Sequence, residues 1–280
     1  MSAPDALSYC AAAVRRHDPD RYLCAMFAPA DRREDLLALY AFNLEIARTR
    51  EQVSERMLGE IRLQWWREAI EGIYAGTPRR HAVVTALADA AARRGIDRAG
   101  LERMIDAREA DLEDGPPADL AALEAYAAAT SGELAALAAD LLGAGEARHA
   151  ARQVGTAWAL AGLLRAVGFH ARAKRTYLPG DLLAANGVRL GDLHELRPSA
   201  GLSAAGRTVA DAAWRLLREA RSRRDAVPRA ALPVLLQARL AEANLARLRR
   251  RGFDVLAPGV ADRPPLAAWT MTLAWLAGRY

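Results

Sequence analysis

Residues 36–46 read LLALYAFNLEI, and their apolar side chains recur at the three- and four-residue intervals of a helix. The pattern extends over residues 32–54, after a helix start marked by Pro29 and Asp31. Strand patterns, in which apolar and polar residues alternate, are nearly missing from the chain. The sequence therefore predicts helices and argues against a sheet.

The remainder of the chain shows the same periodicity. We predict further helices over residues 57–74, 81–94, 98–112, 120–142, 147–171, 202–224 and 232–251. Residues 179–201 are the least periodic and predict a loop with short helical turns. No linker or repeat divides the chain, so we expect one all-α domain over residues 1–280, with any ligand held between antiparallel helices.

The composition excludes several classes of protein. A hydrophobic fraction of 52% over 280 residues argues against disorder and predicts a large core. Two cysteines are too few for a disulfide scaffold or a four-cysteine zinc site. The net charge of +5 comes almost entirely from arginine. The arginine run at 247–251 has no interleaved aromatic residues, so we expect no nucleic-acid partner. No secretory signal is evident, which favours a cytoplasmic location.

Two segments leave alternatives open. On a helix, Asp106, Glu109 and Glu113 share a face that could hold Mg²⁺, but pairing with Arg103 and Arg108 is the favoured interpretation. The apolar run 266–278 is shorter than the roughly 20 residues that span a bilayer. Its two tryptophans suit a membrane surface, although we favour a buried terminal helix.

The order of several short motifs resembles the squalene/phytoene synthase family over nearly the whole chain. The motifs are Cys10, His17, Phe27–Pro29, Leu39–Phe42, Trp66–Arg67, Tyr74–Gly76, Ile105–Arg108, Asp111–Leu112, Tyr126–Gly132, Leu164–Arg165 and Arg175–Pro179. The resemblance implies the isoprenoid synthase fold, with antiparallel helices around a central cavity. It also implies a chemistry in which two aspartate-rich motifs hold Mg²⁺ against a prenyl diphosphate.

The chain departs from this family where those aspartates belong. The first motif falls on Ala47 and Glu51, and the second falls on Ala166 and His170. A methyl group cannot ligate Mg²⁺, and the neighbouring Arg48 repels cations. We therefore expect no catalytic residue, no metal ligand and no cofactor, with Mg²⁺ required only if prenyltransferase activity persists.

A ligand site is still expected in the cavity that the resemblance implies. Its predicted lining residues are Tyr40, Asn43, Glu51, Arg165, His170, Arg175 and Tyr177. Arginines on a cavity wall that lacks acidic metal motifs would attract an anion, since a guanidinium matches phosphate in a bidentate way. Core packing is the competing explanation for the aromatic residues.

One branch of the family shares these departures. Residues 41–45, 53–55 and 61–67 resemble mitochondrial complex I assembly factors of the squalene/phytoene synthase type. The resemblance implies a non-catalytic role in building the respiratory NADH dehydrogenase, with a complex I subunit or a lipid or prenyl ligand as partner. It also implies peripheral contact with the inner membrane. Two alternatives stay open: an active prenyltransferase that joins prenyl diphosphates head to head, and a non-catalytic lipid-binding protein.

Overall fold

The computed structural model describes residues 7–53, 55–222 and 224–280. Within these ranges the chain forms sixteen α-helices and no strand, which confirms the all-α prediction. The helices are α1 (Tyr9–His17), α2 (Pro19–Ala25), α3 (Ala30–Ala47), α4 (Arg56–Tyr74), α5 (Ala82–Arg94), α6 (Arg98–Ala107), α7 (Leu120–Ala127), α8 (Glu133–Leu141), α9 (Arg148–Arg165), α10 (Val167–Arg172), α11 (Gly180–Ala185), α12 (Leu190–His194), α13 (Ala200–Arg221), α14 (Leu232–Leu235), α15 (Gln237–Arg250) and α16 (Ala267–Leu276).

Helix α9 lies at the centre of the molecule and packs against α8, α13 and α15. It approaches the segment before α8 closely, because Gly155 offers no side chain there. A Cβ at Gly155 would overlap the carbonyl oxygen of Ser131 and lie 2.7 Å from the Cβ of Ala135. Glycine is therefore required where α9 crosses α8.

Four of the predicted helices are interrupted, and one of them, 232–251, is divided at Leu236 into α14 and α15. The segment 98–112 is α-helical only to Ala107 and then forms a 3-10 turn, Arg108–Leu112. The segment 120–142 contains a π turn, Ala128–Gly132, and the segment 147–171 breaks at Ala166. The prediction of continuous helices was wrong at these points, because apolar periodicity does not distinguish α from 3-10 or π hydrogen bonding.

The first predicted helix also ends early. It was expected to run to residue 54, but α3 ends at Ala47 and a 3-10 turn, Arg50–Gln52, follows it. Residues 179–201 behave as predicted, with the short helices α11 and α12 between loops.

The prediction that the terminal apolar helix is buried was wrong. In α16 only Met271 and Ala274 are buried, while Leu266, at the helix start, Trp269, Leu273 and Leu276 are more than half exposed. Apolar residues occur on more than one side of the helix, so packing one face against the bundle leaves others outside. In the part of the chain that the structure describes, no helix combines the length and the apolar character needed to cross a bilayer.

Candidate functional site

Asp111 is the centre of a buried polar group between the helices. The 3-10 turn after α6 directs its side chain inward, where the residue is 3% exposed. Its Oδ1 accepts a 2.7 Å hydrogen bond from the hydroxyl of Tyr126 and another of 2.7 Å from that of Tyr177. Its Oδ2 lies 3.2 Å from Nη1 of Arg108. Both carboxylate oxygens are thereby engaged.

Arg108 extends this group toward α3. Its Nη1 also donates to the hydroxyl of Tyr126 at 2.8 Å, and its Nη2 donates to Oδ1 of Asn43 at 3.4 Å. Burial raises the pKa of Tyr126. Burial, and to a lesser extent the charge of Asp111, raises the pKa of Tyr177. Both hydroxyls therefore stay protonated and act as donors to the carboxylate at neutral pH.

His170 and Arg175 border the same group. The His170 ring lies 4.9 Å from that of Tyr177, and burial, assisted by the charge of Arg175, lowers the pKa of His170 to about 4. Arg175 donates from Nη2 to the backbone carbonyl oxygens of Asp111 and Glu113. Four of the predicted ligand-binding residues, Asn43, His170, Arg175 and Tyr177, thus lie together around Asp111.

The other three predicted residues lie elsewhere. Tyr40 is buried in α3, where the guanidinium of Arg21 lies 6.0 Å from its ring. Arg165 lies at the end of α9, with Nη1 3.6 Å from a carboxylate oxygen of Asp20. Glu51 is exposed on the turn after α3, and the only described cation beside it is Arg48, at 4.0 Å. The seven residues therefore occupy several separate places.

The comparisons with known proteins agree with this architecture. The sequence profile of the squalene/phytoene synthase family matches residues 14–270. The chain belongs to this family. The protein named NADH dehydrogenase (ubiquinone) complex I, assembly factor 6, of Homo sapiens is 32% identical over 260 residues, which are 92% of this chain and 78% of that protein. The rat protein of the same name is 31% identical over 279 residues, 99% of this chain and 84% of that protein.

Enzymes of the family are also similar to this chain. A phytoene synthase of Thermus thermophilus is 30% identical over 275 residues, 95% of this chain and 91% of the enzyme. The crystal structure of a dehydrosqualene synthase superimposes with a TM-score of 0.81 at 18% identity, covering 96% of each chain. The squalene synthase HpnC of Alicyclobacillus acidocaldarius gives a TM-score of 0.78 at 21% identity, covering 88% of this chain and 93% of that one. These structures confirm the predicted isoprenoid synthase fold.

The positions that match the family's metal motifs lie at two helix ends. Ala47 is the last residue of α3, and Ala166 directly follows α9. Neither offers an oxygen ligand in its side chain, and the neutral ring of His170 packs against Tyr177. Within the described ranges, no group of three histidine, cysteine or carboxylate side chains is arranged to hold a metal ion. These residues do not fit a Mg²⁺ clamp.

The three acidic residues Asp106, Glu109 and Glu113 are neutralised from another helix. Asp106 and Glu109 both accept hydrogen bonds from Arg67 of α4, and Glu113 accepts one of 2.9 Å from Arg56. Arg103 pairs with Asp97 and Glu133 instead of with these residues. The predicted neutralisation of these three carboxylates by Arg103 and Arg108 was wrong. Arg108 pairs with Asp111 instead, and α6 packs beside α4, which brings Arg67 and Arg56 closer.

The site around Asp111, with Arg108 and Tyr126, was not predicted from the sequence. A signal was available, because all three lie in motifs that resemble the family's and Arg108 precedes Asp111 by three residues. What the sequence could not indicate is that the Tyr126 and Tyr177 hydroxyls converge on one carboxylate oxygen.

A small cavity of about 180 Å³ opens beside this group. The residues that line it include Tyr126, Arg175, Tyr177, Pro116 and Pro117. The volume is below the roughly 300–1,000 Å³ of typical small-molecule sites. This cavity suits a small anion beside Arg175 better than a prenyl chain.

Proposed function

We propose that this protein acts without catalysis in the assembly of the respiratory NADH dehydrogenase. The observation that carries the proposal is the presence of Ala47 and Ala166 at the metal-motif positions of a chain that is 31–32% identical to proteins named complex I assembly factor 6. The names of the relatives indicate the role in complex I assembly, and the missing carboxylates indicate that the prenyltransferase reaction is not catalysed.

The chemistry supports the absence of turnover. Departure of a diphosphate leaves negative charge that bound metal ions stabilise, and Mg²⁺ needs oxygen ligands to be held in place. The buried carboxylate of Asp111 is occupied by Tyr126, Tyr177 and Arg108. Glu51 is exposed beside Arg48. The two motif positions therefore offer no pair of free carboxylates that could bind Mg²⁺.

The partner that we propose is a subunit of complex I, and the location is the cytoplasm with peripheral contact at the inner membrane. The named function of the assembly-factor relatives supports the partner. A lipid or prenyl ligand whose phosphate group binds near Arg175 is a second form of the same non-catalytic role. The cavity of about 180 Å³ beside that arginine supports binding of the anionic group, and the apolar chain would have to lie outside it.

An active head-to-head prenyltransferase is the alternative function. The observation that favours it is the 30% identity to a phytoene synthase over 95% of the chain. The arginine and tyrosine of the motif at residues 175–179 are also present. This alternative requires metal binding by residues other than those at the two motif positions.

Two experiments test the proposal. Purified protein is incubated with farnesyl or geranylgeranyl diphosphate and Mg²⁺, with an active phytoene synthase as the positive control. We expect no pyrophosphate or condensed product above buffer, and turnover would establish the prenyltransferase instead.

The second experiment deletes the encoding gene and measures assembled NADH dehydrogenase on native gels. We expect less assembled complex and recovery when the gene is returned. Unchanged complex I in the deletion strain would refute the assembly role, whatever the outcome of the enzyme assay.

A further inference from the structure

Helix α16 presents a continuous apolar face to the outside. Leu266 and Trp269 are each 69% exposed, Leu273 is 64% exposed and Leu276 is 60% exposed. Spacings of three, four and three residues place these four side chains on one side of a helix. The helix contains no charged residue. A face of this kind is rare on a surface that contacts only water.

A groove rich in arginine continues from the end of this helix. It has a volume of about 570 Å³ and includes residues 277–280, which directly follow α16. Its arginines are Arg221, Arg224, Arg229, Arg239 and Arg279. Two carboxylates offset part of their charge, since Glu242 pairs with Arg221 and Arg239, and Asp225 lies 3.7 Å from Arg224. The groove keeps a positive excess beside the apolar face.

Contacts on the inner side fix the orientation of the helix. The guanidinium of Arg229 lies 5.1 Å from the ring of Trp275 and donates a 3.1 Å hydrogen bond to its carbonyl oxygen. The Trp275 ring also packs 5.9 Å from that of Phe27 in the segment before α3. The apolar face and the groove are therefore held next to each other.

We propose that this combined surface binds an anionic phospholipid bilayer. The face of α16 enters the interface between headgroups and acyl chains, and the arginines of the groove contact lipid phosphates. A helix of 10 residues is about 15 Å long, half the hydrocarbon thickness of a bilayer, so it lies in the membrane plane. An apolar face with tryptophan beside basic residues is the pattern of such interfacial helices.

The charge of the groove argues for lipid as the occupant. A second copy of this chain would bring a like-charged groove to the contact, whereas anionic lipids attract each arginine near the surface. The proposal deepens the location given under the proposed function and does not depend on which client the protein serves. Vesicle binding is measured on purified protein, so its failure and a failure of the deletion experiment are distinguishable.

The test uses the full chain and vesicles of phosphatidylcholine, with or without about a third of phosphatidylglycerol. We expect co-sedimentation with the anionic vesicles and at least tenfold weaker binding to the neutral ones. Trp269→Glu with Leu273→Glu should abolish binding. Arg224→Gln with Arg279→Gln should weaken it about 25-fold, since each arginine contributes about fivefold. Added salt should weaken the binding of the unchanged chain.

Matched controls change similar residues on other surfaces. Ile61 is 59% exposed on α4, and Arg189 is exposed beside Asp192 before α12. Ile61→Glu and Arg189→Gln should bind vesicles like the unchanged chain. The proposal is overturned if the unchanged chain does not bind anionic vesicles, if the controls lose binding as well, or if the α16 variants instead dissociate a dimer in solution. Circular dichroism checks that each variant is folded.

Discussion

The hydroxyl of Tyr177 donates a 2.7 Å hydrogen bond to Oδ1 of Asp111. The two residues are 66 positions apart in sequence, and the bond joins the segment before α11 to the 3-10 turn after α6. Both belong to motifs that resemble those of the squalene/phytoene synthases. In this chain the pair holds two elements together, so the motif residues have a structural use that does not depend on a substrate.

Loss of the Asp111 charge should strongly destabilise the fold. Asp111→Asn leaves the guanidinium of Arg108 buried without its only described counter-charge. Breaking a buried ion pair on one side typically costs about 3–5 kcal/mol. We expect a decrease of this size in the free energy of unfolding, measured by urea denaturation.

Asp106→Asn is the matched control for this substitution. Asp106 lies five residues earlier, with a side chain 60% exposed, and it pairs with Arg67. An exposed ion pair contributes at most about 1 kcal/mol. If the two substitutions lower the free energy of unfolding equally, the burial of the Asp111 ion pair does not add to its contribution to stability.

A second prediction concerns the close approach of α9 to α8. Gly155→Ala would place a methyl group against the carbonyl oxygen of Ser131. Overpacking of this kind typically costs about 1–3 kcal/mol. Gly162→Ala is the control in the same helix, because nothing lies within 4 Å of a Cβ there. We expect Gly155→Ala to lower the melting temperature and Gly162→Ala to raise it slightly, since alanine is the better helix former. Equal shifts would show that the contact with Ser131 is easily relieved.

The sequence predicted the helical elements better than their ends. Apolar periodicity identified α4 and α5, because each buries one side against the core, and it identified α3, which is buried on all sides over residues 35–43. It did not find the 3-10 turn that directs Asp111 inward, since that geometry depends on Tyr126 and Tyr177 from distant segments. Long-range contacts of this kind leave no local pattern.

The seven candidate site residues were predicted to line one cavity, but the structure places them in several separate positions. Placing Glu51 beside Ala47 presumed that α3 continues for another turn, but the helix ends at Ala47 and Glu51 is exposed. The family resemblance placed Arg165 and Arg175 on one cavity wall, yet α9 ends between them and Arg165 lies beside Asp20. The apolar composition of α16 likewise predicted its burial. Composition alone does not indicate whether another element of the chain covers the helix.

The segment 252–266 offers a third prediction. Arg263 donates from Nε to Oδ1 of Asp20 at 2.8 Å, and Arg247 donates to the carbonyl oxygen of Gly259 at 3.3 Å and to that of Asp262. Asp20→Asn weakens the charge-assisted contact that fixes the end of this segment to α2. We expect faster cleavage within residues 252–266 by a nonspecific protease, with a smaller loss of global stability than for Asp111→Asn, because Arg263 and Arg165 are more accessible to water than Arg108. Asp192→Asn, which removes an exposed pairing with Arg189, should leave this cleavage rate unchanged. Equal cleavage of all three proteins would mean that the segment is held by other contacts.

The fourth prediction concerns acid stability and follows from His170. Its pKa falls from about 6.5 in the unfolded chain to about 4 in the folded protein, chiefly because the ring is buried. Between these values the unfolded chain binds the extra proton and the folded protein does not, so stability is lost as the pH falls. The loss attributable to this residue reaches about 3 kcal/mol between pH 7 and pH 4.

His170→Gln removes the titrating ring and isolates this contribution from that of the carboxylates. Free energies of unfolding are measured for both proteins at half-unit intervals from pH 4 to pH 8. Above pH 7.5 the two curves should differ by a constant. Below pH 6.5 the unchanged chain should lose stability faster than the variant, so the variant should become relatively more stable as the pH falls. Parallel curves over the whole range would show that His170 has the same pKa in the folded and unfolded protein and would contradict the prediction. We do not expect this, because the ring packs against Tyr177 and lies near the charge of Arg175.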